Sequence, residues 1–146
     1  MEIVVVKTES ELKECLAIRR KVFNEEQQVP ADIEVDDYDA SPVACAHILA
    51  RVDGVPAGCG RWIPYKEPNI AKIQRIAVLP EFRGCGVGAR VMEALEMSAR
   101  QAGMTGCILD SQCHAEPFYR RLGYRAVSEE PFEEAGIMHV RMSKAL

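Results

Sequence analysis

Apolar positions along this chain switch between the strand period and the helix period, and turn residues mark most of the switches. Residues 2–7 (EIVVVK) form a short apolar run that predicts a buried strand. Thr8-Glu9-Ser10-Glu11 has capping-box spacing, in which Thr8 accepts from the Glu11 amide while Glu11 reaches back. Leu12, Cys15, Leu16, Val22 and Phe23 follow at helical spacing, with Arg19 interrupting the stripe. This predicts a helix over 9–27, stopped by Pro30. Residues 31–43 carry Asp32, Glu34, Asp36, Asp37, Asp39 and Pro42, and read as a solvated, turn-rich loop. Residues 44–52 alternate as a strand, Asp53-Gly54 is a two-residue hairpin signal, and the return strand covers 55–63. Within it, Gly58 and Gly60 point to a bulge or a close backbone approach. A third strand is predicted over 70–79.

The second half changes character. Residues 80–88 form a glycine-rich loop, and Val87, Val91, Leu95 and Ala99 mark a helix that Gly103 ends. A strand is predicted at 105–110, a short helix at 117–122 closed by Gly123, and two strands near 124–128 and 137–142. In the last, Met138, Val140 and Met142 alternate with His139 and Arg141. The order β-α-β-β-β-α-β-α-β-β predicts an α+β fold with a mixed, mainly antiparallel central sheet flanked by helices.

Length and composition narrow the picture. With 146 residues, 48% apolar and 27% charged, one domain over 1–146 with a real core is expected. The net charge of −4 does not favour a non-specific grip on nucleic acid. No apolar run approaches the ~20 residues that cross a bilayer. The N-terminus has no signal-peptide pattern. Six cysteines without such a signal read as free thiols of a reducing, cytoplasmic protein. There is no C-x-x-C, and Cys113 adjoins His114 rather than being spaced from it as a ligand, so no metal site is expected.

The most informative segment is Ile73 to Gly88, where a strand runs into a glycine-spaced loop that opens a helix. Such a loop suits an anion. A helix N-terminus offers unpaired amides, glycines admit a phosphate without a Cβ in the way, and Arg83 adds a forked cation. Walker A fails, since no Gly-Lys-Ser/Thr follows. Gly84-x-Gly86-x-x-Ala89 formally fits a dinucleotide fingerprint, with Asp110 about 20 residues on. However, Leu79 to Arg83 separate strand from glycine, and the upstream hairpin is foreign to a parallel sheet.

Arg83-Gly84-Cys85-Gly86-Val87-Gly88 resembles the Q/R-x-x-G-x-G/A signature of the GNAT superfamily of N-acetyltransferases, preceded by Ile76-Ala77-Val78-Leu79-Pro80. A second block, Ala115-Glu116-Pro117-Phe118-Tyr119 to Gly123-Tyr124, resembles the family's Phe-Tyr helix. More narrowly, Arg20 to Phe23, Glu26-Gln27, His47-Ile48, Gly60-Arg61-Trp62 and Phe132 to His139 resemble the ElaA-like branch. The resemblance implies an acetyl-CoA-dependent N-acetyltransferase, without a metal, acting on an unidentified amine. It implies a diphosphate on the amides of Arg83, Gly84, Cys85, Gly86, Val87 and Gly88, with Ala89 opening the helix. The pantetheine arm would lie along Ile76, Ala77 and Val78, where the flanking strands splay. It also implies Tyr119 as the acid that protonates the leaving thiolate. An alkyl amine, with a pKa of about 10.4, must lose a proton before attack. Glu26, Glu34, His47 and His139 are candidates for that task. Arg61 and Arg75 face the cleft or the core, as substrate contacts or as internal ion pairs. Cys85 reads as a loop spacer. The family admits a homodimer. A non-catalytic acyl-CoA sensor using the same loop is the alternative reading.

Overall fold

The computed structural model describes residues 1–146, and one sheet of eight strands organises them. The strands are β1 (Glu2–Val5), β2 (Ala46–Val52), β3 (Val55–Pro64), β4 (Ile70–Val78), β5 (Gly106–Gln112), β6 (Arg125–Ala126), β7 (Phe132–Glu134) and β8 (Ile137–Ala145). Their spatial order is β1-β2-β3-β4-β5-β8-β6, with β7 also on β8. Every pairing is antiparallel except β4 with β5. The α+β fold with a mainly antiparallel sheet is therefore the fold observed.

α3 (Val87–Gln101) covers one face, burying Val87, Val91, Met92, Leu95 and Ala99 against Ile48, Ala50, Ile73 and Leu109. The approach is close because β3 carries glycine beneath it. A Cβ on Gly60 would stand 2.4 Å from Ile76 Cδ1 and 2.9 Å from Leu95 Cδ1. α4 (Glu116–Arg121) brings Tyr119 to the same core, edge-on to Tyr124 with ring centroids 6.1 Å apart.

α1 (Glu9–Arg19) covers the other face, and its Thr8–Glu11 capping box is present. Leu12, Cys15, Ile18 and Val22 pack on Val6, Leu49, Cys59 and Ala77. Two expectations need correction here. The helix expected over 9–27 is not one α-helix: it widens into a π-helical segment over Arg20–Glu26. The acidic stretch is not a solvated loop, although Asp32 and Asp37 do face water. It folds into α2 (Ala31–Glu34) and a 3₁₀ turn (Asp37–Asp39), with Glu34 and Asp39 only 3% and 7% exposed.

The reason is Arg19, which is 1% exposed among apolar neighbours and needs buried anions. Its Nη1 and Nη2 lie 2.6 and 2.8 Å from the Asp39 carboxylate, and its Nε donates to Glu34. Burial alone would raise the Asp39 pKa, but the Arg19 hydrogen bonds and charge outweigh it and hold the carboxyl at about 2. No helix is long and apolar enough to cross a membrane. All six cysteines are free.

Candidate active site

β4 and β5 begin as a parallel pair and then part. Their register runs from Ile70↔Gly106 to Ile73↔Leu109, yet β4 continues to Val78 and β5 to Gln112. A bulge in β4 accompanies the parting. Against β3 the register moves from Arg61↔Gln74 to Cys59↔Ala77, which places one extra residue on β4. Arg75 stands there at φ 59°, a left-handed conformation uncommon for a non-glycine residue.

The gap opens into a cavity of about 1090 Å³ that reaches both faces of the sheet. Val87, Leu109 and Tyr119 line it from the α3 side; Val22, Phe23, Gln27 and Glu34 line it from the α1 side. Ile76, Ala77 and Val78 form its edge, and Gly84, Gly86, Val87, Gly88 and Ala89 form one end.

That end is short of acceptors. The amides of Gly84, Cys85 and Gly86 donate to no protein group. Those of Val87, Gly88 and Ala89 fall in the first turn of α3, ahead of its first bond, from the Arg90 amide to the Gly86 carbonyl. Gly84 and Gly86 sit at φ 83° and 86°, which points successive amides the same way. A diphosphate fits this row by charge and by hydrogen-bonding chemistry.

Two details differ from expectation. The Arg83 amide is occupied, donating to the Pro80 carbonyl at 3.3 Å, so the free row is 84–89. The Arg83 guanidinium is occupied as well: Nη1 and Nη2 donate to Glu26 at 2.9 and 2.7 Å, and Nε to the Val78 carbonyl at 3.0 Å. The same contact, through Arg83 hydrogen bonds, lowers the Glu26 pKa. Cys85 is outside the cavity lining, its thiol turned to the Phe82 carbonyl.

Tyr119 is 8% exposed, lines the cavity, and its hydroxyl has no protein hydrogen bond. Burial raises its pKa above the ordinary phenol value, so it keeps its proton at neutral pH.

The remaining sequence candidates divide. Arg61 is fully buried beneath the cavity floor, donating to Asp36 at 2.7 Å, Asp39 at 3.0 Å and Gln74 at 2.9 Å. His47 is 2% exposed with Nε2 on the Tyr38 carbonyl at 3.0 Å; burial lowers its pKa. Neither lines the cavity. Both strand positions were legible, but not the acidic turn that covers them. Glu26, Glu34, Arg75 and His139 do line it. Arg75 is tethered through Nε to the Glu34 carbonyl at 2.9 Å. Glu34 Oε2 is a buried oxygen without a partner.

Among the wall residues, Phe23, Gln27 and the turn within 132–139 were marked only by the ElaA-like resemblance, and Gln112 by nothing in the sequence. Gln27 and Gln112 exchange side-chain amide hydrogen bonds of 3.1 and 2.8 Å across the α1 side of the gap. Phe23 lies within the π-helical segment and Gln27 caps its end, and both line the cavity. The β7–β8 turn, with Ala135 and Gly136 both at positive φ, supplies the far wall.

Residues 41–146 match the acetyltransferase (GNAT) domain family. The uncharacterized N-acetyltransferase YjcF of Bacillus subtilis is 40% identical over 144 residues, 99% of both chains. An acyl-CoA N-acyltransferase from Pseudomonas aeruginosa superposes with a TM-score of 0.83 at 27% identity, over 99% of this chain and 100% of that one. Escherichia coli ElaA does so with a TM-score of 0.85 at 25% identity, over 98% of each. A sheet parted at β4 and β5, a row of free amides beside the gap and these likenesses lead to one conclusion: the chain belongs to the GNAT family and is an acyl-CoA-dependent N-acetyltransferase.

Proposed function

We propose that this enzyme moves the acetyl group of acetyl-CoA to a primary amine by direct attack within a ternary complex. The observation that carries the reading is the row of free amides at 84–89, next to the stretch of β4 at 76–78 that has no strand partner across the gap. The diphosphate of acetyl-CoA takes the amide row. The pantetheine arm extends β4 as a strand would, which brings the thioester to the gap. Backbone N–H near Val78 stabilises the oxyanion. Tyr119 gives its proton to the departing sulfur. The amine enters from the α1 face, past Gln27 and Gln112. Arg61 and His47 support the floor through their buried partners and do not touch the acceptor.

The test incubates the protein with acetyl-CoA and a panel of tyramine, spermidine, kanamycin and short peptides with free N-termini or lysines. Thiol release and acetylated products by mass spectrometry are the expected result. Tight acetyl-CoA binding with no product from any amine would favour the sensor. Failure to bind coenzyme A would remove both readings.

A further inference from the structure

We propose that His139 is the general base that takes the acceptor's proton, working from the opposite face of the sheet to Tyr119; this rests on the acetyl transfer proposed above. Three observations converge on it. The first is placement. His139 lies opposite Gln112 in the antiparallel β5–β8 register, so the two side chains share a face. Gln112 is clasped to Gln27, the residue that caps the π-helical segment, which identifies that face as the α1 side, where the acceptor enters. His139 is 8% exposed and lines the cavity.

The second is the tautomer. Nδ1 is 2.8 Å from the Ile137 carbonyl, which can only accept. Nδ1 therefore carries the hydrogen, and the basic lone pair of the neutral ring is on Nε2. No protein group bonds to Nε2. The ring is also held by stacking on Phe132, with centroids 6.1 Å apart and planes at 24°. A fixed ring with a free basic nitrogen is what proton abstraction requires.

The third is that the carboxylates and the other histidine of the cavity are ion-paired or exposed. Glu26 is held by Arg83, and Asp110 by Arg141 at 2.8 Å with Lys72 at 3.7 Å; Glu34 is ion-paired through Oε1 to Arg19 and, at 3.7 Å, to Arg75, with its Oε2 left unpartnered. Glu134 on β7 and His114 after β5 stand on the exposed rim. With Arg75, Arg83 and Arg121, these are the charged groups that line the cavity alongside His139.

The proton count closes. The acceptor arrives as R–NH3⁺ and gives one proton to Nε2. Its lone pair attacks the thioester carbon, the C–N bond forms and the C–S bond breaks. Sulfur takes the Tyr119 proton. The second proton lost from nitrogen restores Tyr119 through solvent. The single net proton leaves from His139 to bulk water.

Two measurements decide it. His139→Asn keeps a donor for the Ile137 carbonyl and loses the basic nitrogen. With the most reactive amine of the panel, kcat/KM should fall about 100-fold while acetyl-CoA Kd stays within about twofold. Added imidazole should restore part of the rate to His139→Ala, as it would not for a merely structural residue. His139→Asn activity within about threefold of wild type, or no imidazole rescue, overturns the proposal while leaving acetyl transfer itself intact. A long-range ¹⁵N–¹H spectrum of the three histidines supplies a readout independent of any acceptor. It should show His139 as the Nδ1–H tautomer. An Nε2–H tautomer overturns the assignment even where no amine in the panel reacts.

Discussion

The loop before α3 and the ionic cluster under α1 are both dense in polar groups, and they differ in how many of those groups already have partners. Around Arg19 and Arg61, each guanidinium meets carboxylates at hydrogen-bonding distance, and a single oxygen of Glu34 is left over. Along 84–89, the amides point out of the fold with no acceptor. The first cluster is closed on itself and serves the fold. The second is complete only when something anionic arrives. Charge alone would have ranked the two regions the other way. Satisfaction of polar groups separates them.

The largest expected effect breaks the closed cluster. Arg19→Met would leave Glu34 and Asp39 buried without their main partner, at a cost of about 3–5 kcal/mol in urea unfolding. A loss under about 1 kcal/mol would contradict the structural role. Tyr119→Phe addresses the open side. It should lower kcat about 100-fold, near 2.7 kcal/mol of barrier, with acetyl-CoA Kd and unfolding midpoint nearly unchanged. Equal turnover at saturating substrate would remove its role as acid.

Acid should also unfasten the closed cluster. The Asp39 carboxyl is held at about 2 in the fold, because the Arg19 contacts outweigh the opposing effect of burial. An ordinary aspartate in the unfolded chain titrates near 3.9. The stabilisation is therefore complete well above about pH 4 and is lost as pH falls through about 2, on the order of 2 kcal/mol. Asp39→Asn should flatten that part of the stability-versus-pH curve; an unchanged curve would place the acid sensitivity elsewhere.

Gly86→Ala sharpens the contrast from the open side. The added Cβ meets nothing within 4 Å, so only the φ of 86° is strained, at about 1 kcal/mol. Acetyl-CoA Kd should nonetheless rise about tenfold, because the methyl group stands where the phosphates approach. An unchanged Kd would move the diphosphate off this turn. The smallest effect belongs to Cys85→Ala, which should change turnover by less than about twofold. Abolished activity would make the thiol a participant.

Legibility in the sequence followed the range of the interactions. The Thr8–Glu11 box, the α3 stripe and the Asp53-Gly54 hairpin are decided by residues a few positions apart, and all three form. The amide row was readable for the same reason, since glycine spacing and a helix start are local. The acidic stretch was misread because its fate depends on Arg19 and Arg61, 15 to 25 residues away along the chain. One clue was present: an arginine inside an apolar stripe demands buried anions. The π-helical segment and the β4 bulge had no such clue. Each adds a residue to a regular element to satisfy tertiary contacts, here the cavity wall and the β3 register. His47 and Arg61 show the same limit, because alternation assigns a sheet face without revealing what covers it.

The most direct test follows the backbone amides of the ¹⁵N-labelled protein by NMR as coenzyme A is added. The account predicts that residues 84–89 show the largest downfield ¹H shifts, with 76–78 next and the Arg19–Asp39 cluster unmoved. Coenzyme A binding that leaves 84–89 unshifted, or no binding at all, would contradict it.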